Sequence, residues 1–156
     1  MMMEVLELTK MNVTMDGVDM TYYQSAKQDM KAVEGLETVD EQIDYVVEMG
    51  QGDEDAFVAN TIKELKTIKQ GYESMIGAWK KGDVKKLNDL MVAEIKKSPR
   101  LYKRLLTDRN QNWLTRIDAY QQTPEKEFIL VGVAHLVGPD GILESLKRKG
   151  YKVEKL

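Results

Sequence analysis

Apolar residues recur along this chain in two ways, and the difference between them sets the expected elements. Over most of its length they fall three or four positions apart, the spacing of one helix face. Met3 to Leu8 fits a short helix, Met11 to Val18 a loop around Asp16-Gly17, and Thr21 to Lys31 a helix with Tyr22, Ala26 and Met30 on its apolar side. From Asp53 to Lys81 a single stripe runs through Val58, Ile62, Leu65, Ile68, Tyr72, Met75, Ile76 and Trp79. Three acids open that segment and Lys80, Lys81 and Gly82 close it, as the helix dipole favours, and Gly71 and Gly77 are the places where it would bend. Asp83 is a good N-cap for a helix carrying Val84, Leu87, Leu90, Met91 and Ile95, and Ser98-Pro99 ends that helix and starts the next. The last long stripe, Tyr102, Leu106, Trp113, Ile117 and Tyr120, includes Arg109.

Elsewhere the apolar residues come in short continuous runs. Phe128 to Val131 is brief and rich in β-branched and aromatic side chains, which predicts a strand, and Ala32 to Leu36 and Tyr151 to Val153 also read as strands. Between the last two, Gly138-Pro139-Asp140 opens a helix with Ile142, Leu143 and Leu146 inward, and Gly150 stops it. The expected fold is therefore α/β: helix-rich, one domain over 1–156, with a small mixed or parallel sheet from strands near 32–36, 128–132 and 151–155. The helices between Asp53 and Tyr120 would form an intervening cap, and 1–20 a poorly defined N-terminal segment.

Composition narrows the classes of function. A chain of 156 residues, 31% charged and 42% hydrophobic, is long enough to bury a core. The net charge of −3 and the dispersal of lysines among acids give no nucleic-acid surface. There is no cysteine, so disulfides and thiolate metal sites are excluded. No stretch is long enough to span a bilayer, and no signal peptide is recognisable at Met1, a start that is also compatible with an internal position in a longer parent chain.

Three residues stand out chemically. His135, the sole histidine, would lie just past the carboxyl end of the 128–132 strand, where open α/β sheets place reacting groups. Glu37 falls in the turn between a strand and a helix whose start has the capping-box spacing of Thr38 and Glu41, on the same sheet edge as His135 if the strands run parallel. Arg109 sits on a core-facing stripe, where its charge must find an acceptor or turn into a cleft. Each has a plainer reading: a packed histidine, a solvated loop acid, a structural ion pair. Together they would suffice for hydrolysis, with a carboxylate to activate water or bind metal, an imidazole as ligand or acid/base, and a guanidinium to hold an anionic group. Imidazole and carboxylate suit zinc, manganese or cobalt, although catalytic zinc normally takes three protein ligands.

The tail Gly132-Val133-Ala134-His135, Leu136-Val137-Gly138-Pro139-Asp140-Gly141 and Arg148-Lys149-Gly150-Tyr151-Lys152-Val153 resembles the C-terminal signature of the TraB/GumN family, to which the Tiki metalloproteases are related. So do Gly35-Leu36-Glu37-Thr38 followed by Gln42, Gly17-Val18-Asp19, Trp79-Lys80-Lys81-Gly82-Asp83 and Asp108-Arg109-Asn110 with Trp113. The resemblance covers roughly 16–156 and corresponds to the C-terminal portion of a member. It implies a metal-dependent, peptidase-like hydrolase acting on a peptide or small molecule, with His135 and Glu37 at a divalent metal or as general base, Arg109 positioning substrate, and a parent protein associated with the cell envelope. Complete members are expected to carry a further Gly-x-x-His, and this chain has no second histidine. The competing expectation is therefore a non-catalytic binding protein, self-associating or covered by a partner at its exposed sheet edge.

Overall fold

The computed structural model describes residues 2–14, 16–49 and 54–155, and the described elements are helical. The chain forms two compact units, Met1–Tyr72 and Glu73–Leu156. The first contains α1 (Met2–Lys10), α2 (Val18–Gln28), α3 (Val39–Met49) and α4 (Glu54–Leu65), with α1 against α4. α5 (Ile68–Lys81) runs across the boundary into the second unit, which continues with α6 (Val84–Met91), α7 (Ala93–Lys96), α8 (Pro99–Tyr102), a five-residue π turn (Lys103–Thr107), α9 (Asp108–Tyr120), α10 (Val133–Leu136) and α11 (Ile142–Arg148).

Helix starts follow the local chemistry of their caps. Thr38 and Glu41 form the expected reciprocal box: the Thr38 backbone N–H donates to Glu41 Oε2 at 2.7 Å, and the Glu41 N–H donates to Thr38 Oγ1 at 3.2 Å. Asp83 Oδ1 accepts from the Lys86 N–H at 3.0 Å, and Ser98 Oγ from the Leu101 N–H at 3.4 Å with Pro99 in the first turn. The long 53–81 helix is instead two helices, broken at Lys66 and Thr67 and not at Gly71 or Gly77. A helical glycine costs about 1 kcal/mol relative to alanine, a penalty packing can absorb. α2 buries none of its residues, and Met30, expected on its apolar face, is 92% exposed with φ 54°.

The core of the second unit is built from Ala78, Leu87, Val92, Leu106 and Val137, with Met75, Met91, Ile95, Leu105 and Leu136 packed around them. Val92, the most deeply buried, sits at the joint between α6 and α7, so the break in that helix turns a side chain inward. Trp113, Leu114, Ile117 and Ile142 are also buried.

The α/β expectation is overturned. Among the described residues there is no strand and no sheet, and the segments 32–36, 128–132 and 151–155 carry no regular structure. A strand exists only if another backbone supplies its hydrogen-bond partners, and an apolar run says nothing about that partner. Burial tells the same story, since Phe128 is 68% exposed and Val33 and Leu130 are exposed too, so the runs are not packed as core strands would be. Side chains hold the tail in place of a ladder: Tyr151 and Lys149 both bond Asp118 of α9, and Lys155 Nζ donates to the Gly82 carbonyl at 3.0 Å. Among the described residues there is therefore no sheet for the 53–120 helices to cap and no sheet edge.

Candidate functional site

His135 lies in the single turn α10, which begins at Gly132 and is closed by the His135 N–H donating to the Gly132 carbonyl at 2.9 Å. It does not follow a strand, yet it is buried. Its Nδ1 is 2.8 Å from Asn110 Oδ1, and its ring packs on Trp113 with centroids 4.4 Å apart. Burial, and after it the nearby Arg109 guanidinium, push the imidazole down to about 4 from its usual 6.5, so at neutral pH it carries no charge.

Asn110 and Trp113 come from α9, which follows the π turn. An unbroken helix from Pro99 would align Tyr102, Leu106, Arg109, Trp113 and Tyr120. Here the buried positions are Leu106, Asn110, Trp113, Leu114 and Ile117. A π turn bonds i to i+5 and so takes up one residue more than an α turn, a feature frequent at functional sites. Asn110 takes the deep place, and Arg109 is half-buried beside it, its guanidinium carbon 4.9 Å from the Trp113 ring and its Nη1 donating to the Leu105 carbonyl at 3.4 Å. Trp113 thus touches both the imidazole and the guanidinium.

The loop after α10 is fixed from several sides. Asn110 Nδ2 donates to the Asp140 carbonyl at 2.9 Å and to the His135 carbonyl at 3.4 Å. Tyr102 donates its hydroxyl to Asp140 Oδ2 at 2.6 Å, and burial together with that carboxylate raises the phenol well above its usual range. Arg148 Nη1 holds the Pro139 carbonyl at 2.6 Å. Gly141 is there for want of space, because a Cβ would stand 2.5 Å from the Leu136 carbonyl oxygen and 2.6 Å from that of Val137. Gly138 has φ 85°, a conformation that favours glycine.

Of the three sequence candidates, Arg109 and His135 are brought together, whereas Glu37 belongs to the first unit. Glu37 lies in the bend before α3, half-buried, and among the described residues there is no sheet edge to link it to His135. Asn110 and Trp113 of the Asp108-Arg109-Asn110 resemblance, and Asp140 of the tail motif, complete the surroundings of His135, although none of the three was named as a site candidate. Buried polar residues must be hydrogen-bonded, so an asparagine one place from the apolar stripe was the available signal.

For a divalent metal, the donor set of the second unit does not fit alone. His135 offers one nitrogen, a cationic guanidinium lies close by, and among the described residues no three His, Cys, Asp or Glu side chains gather to hold an ion. No helix among the described residues is long and apolar enough to cross a membrane.

Neither a curated protein nor a solved structure matches the chain. The model of the TraB/PrgY/gumN family, in contrast, matches residues 1–155, taking in the N-terminal segment as well as the motif-bearing remainder, and the chain belongs to that family.

Proposed function

We propose that the second unit carries part of a hydrolytic, peptidase-like site, with a peptide or small molecule as substrate. The single observation that carries this reading is a buried, neutral imidazole held by a side-chain hydrogen bond beside a half-buried guanidinium. His135 would act as proton acceptor or ligand, and Arg109 would bind an anionic group or a developing oxyanion. An imidazole held near 4 is a weak base at neutral pH. An anionic substrate group on Arg109 would cancel part of the repulsion and bring the imidazole closer to its working range. Manganese, cobalt or zinc would activate water if bound. The second unit offers His135 as one donor to such an ion, and further donors would be needed.

The second reading is a non-catalytic binding protein, favoured by the short donor set of the second unit. Calorimetric titration of the metal-stripped chain with manganese, cobalt and zinc, repeated on His135→Ala and Glu37→Ala, separates the two. Binding lost in both variants, with peptide cleavage by the loaded chain, supports the hydrolase. Absence of metal binding together with absence of cleavage sinks it and leaves the binding role.

A further inference from the structure

We infer that Asn110 is a positioning residue: it holds His135 as the Nδ1–H tautomer and leaves Nε2 as the nitrogen that meets a ligand or a transferable proton. The consequence for activity rests on the hydrolytic reading above, while the tautomer itself does not.

The inference follows from which atoms can donate. One end of the Asn110 carboxamide faces two backbone carbonyl oxygens, those of Asp140 and His135, at 2.9 and 3.4 Å. Carbonyl oxygens only accept, so the end facing them must be the NH₂ group. Turning the amide over would set its oxygen against both and leave three acceptor oxygens confronting one another in a buried place. The orientation is therefore forced, and Oδ1 is the atom 2.8 Å from His135 Nδ1. Oδ1 can only accept, so Nδ1 must donate. A neutral imidazole has a single N–H, and its lone pair is then on Nε2.

Three further contacts keep this arrangement in place. Trp113 supports one face of the ring, and α10 is so short that the ring orientation depends on its side-chain partner. On the edge that carries Nε2, the neighbouring Cδ2 faces Gly132, where even an added Cβ would stand only at contact distance, 3.8 Å. That edge is not walled off by the residue before the turn. Asn110 reaches no substrate atom itself and acts through His135, as the outer partner of a metal-bound or catalytic histidine does.

The chain has one histidine, so a long-range ¹H–¹⁵N correlation spectrum of the uniformly labelled full chain at pH 8 shows one imidazole. The expected result is a protonated Nδ1 and a bare Nε2. Asn110→Asp, whose carboxylate still accepts from Nδ1, should keep that order. Asn110→Leu should lose it in favour of the Nε2–H form that predominates in free imidazoles. A wild-type spectrum with Nε2–H overturns the inference, and so does an Asn110→Leu spectrum that still shows Nδ1–H. If Asn110→Leu does not fold, the wild-type and Asn110→Asp spectra decide alone. With zinc as the probe, Asn110→Leu should weaken binding by about 10- to 100-fold and Asn110→Asp by much less. The expected tautomer in a chain that binds no metal and cleaves no peptide would support the Asn110 assignment and refute the hydrolytic reading.

Discussion

Lowering the pH should destabilise the second unit through His135 alone. The imidazole titrates at 6.5 when solvated and is pushed down to about 4 in the folded unit by burial and by Arg109. In the window between those values the unfolded chain binds a proton that the folded unit refuses, so stability falls as pH falls from above 6.5 toward 4. Below 4 the loss is complete. The full separation corresponds to about 3 kcal/mol, and between pH 7 and pH 5 the loss should be about 2 kcal/mol. That is a large share of the roughly 5–15 kcal/mol typical of a folded domain. The assay is urea unfolding followed by tryptophan fluorescence at pH 7, 6 and 5. Both tryptophans, Trp79 and Trp113, lie in the second unit, and Trp113 is in contact with the imidazole itself. His135→Gln is the reference, since it has no titrating group there and shares every carboxylate with the wild type. Carboxylate titration therefore cancels in the difference between the two chains. The wild type should lose about 2 kcal/mol relative to the variant over those two pH units. A difference that stays constant to within about 0.5 kcal/mol would refute a buried neutral imidazole.

Other consequences follow from the same geometry. Arg109→Gln removes the second of the two causes that depress His135, so its titration point should rise, yet stay below 6.5 because burial remains; an NMR pH titration of the single histidine showing no rise would exclude the electrostatic coupling. Gly138→Ala forces a side chain into φ 85° and sets a Cβ 2.5 Å from Asn88 Oδ1, the one buried side-chain oxygen without a partner among the described residues, so it should cost about 1–3 kcal/mol; an alanine variant as stable to urea as the wild type would contradict that. Thr38→Ala removes half of the capping box and should cost about 0.5–2 kcal/mol in the first unit, seen as faster amide exchange through Val39–Met49; unchanged exchange would mean the box contributes nothing.

What the sequence made legible was local. Caps at Thr38, Asp83 and Ser98 were readable because each depends on a side chain and an N–H three residues away. The stop of α11 was readable from Gly150, which takes φ 92°. Strand expectations failed because Phe128 to Val131 and Tyr151 to Val153 needed partners that no local pattern describes. The break at Lys66 and Thr67 was equally silent, since neither residue is a helix breaker and two glycines nearby were more obvious places. The sheet that was to place Glu37 beside His135 is absent among the described residues, and what remains for Glu37 is its place in the Gly35-Leu36-Glu37-Thr38 resemblance. His135 is buried and bonded to Asn110, and it does not follow a strand.

α9 shows most clearly why the site was only half readable. Arg109 stood out because helical periodicity aligned it with Leu106 and Trp113, whereas Asn110 entered only as part of the Asp108-Arg109-Asn110 resemblance. Asn110 is nevertheless the more deeply buried of the two, and both act on one imidazole. Adjacent residues on a helix point about 100° apart, so a group flanked by both must lie in the angle between them. His135 occupies that angle, with Arg109 acting on its charge and Asn110 fixing its proton. These two controls are therefore tied to one helix register.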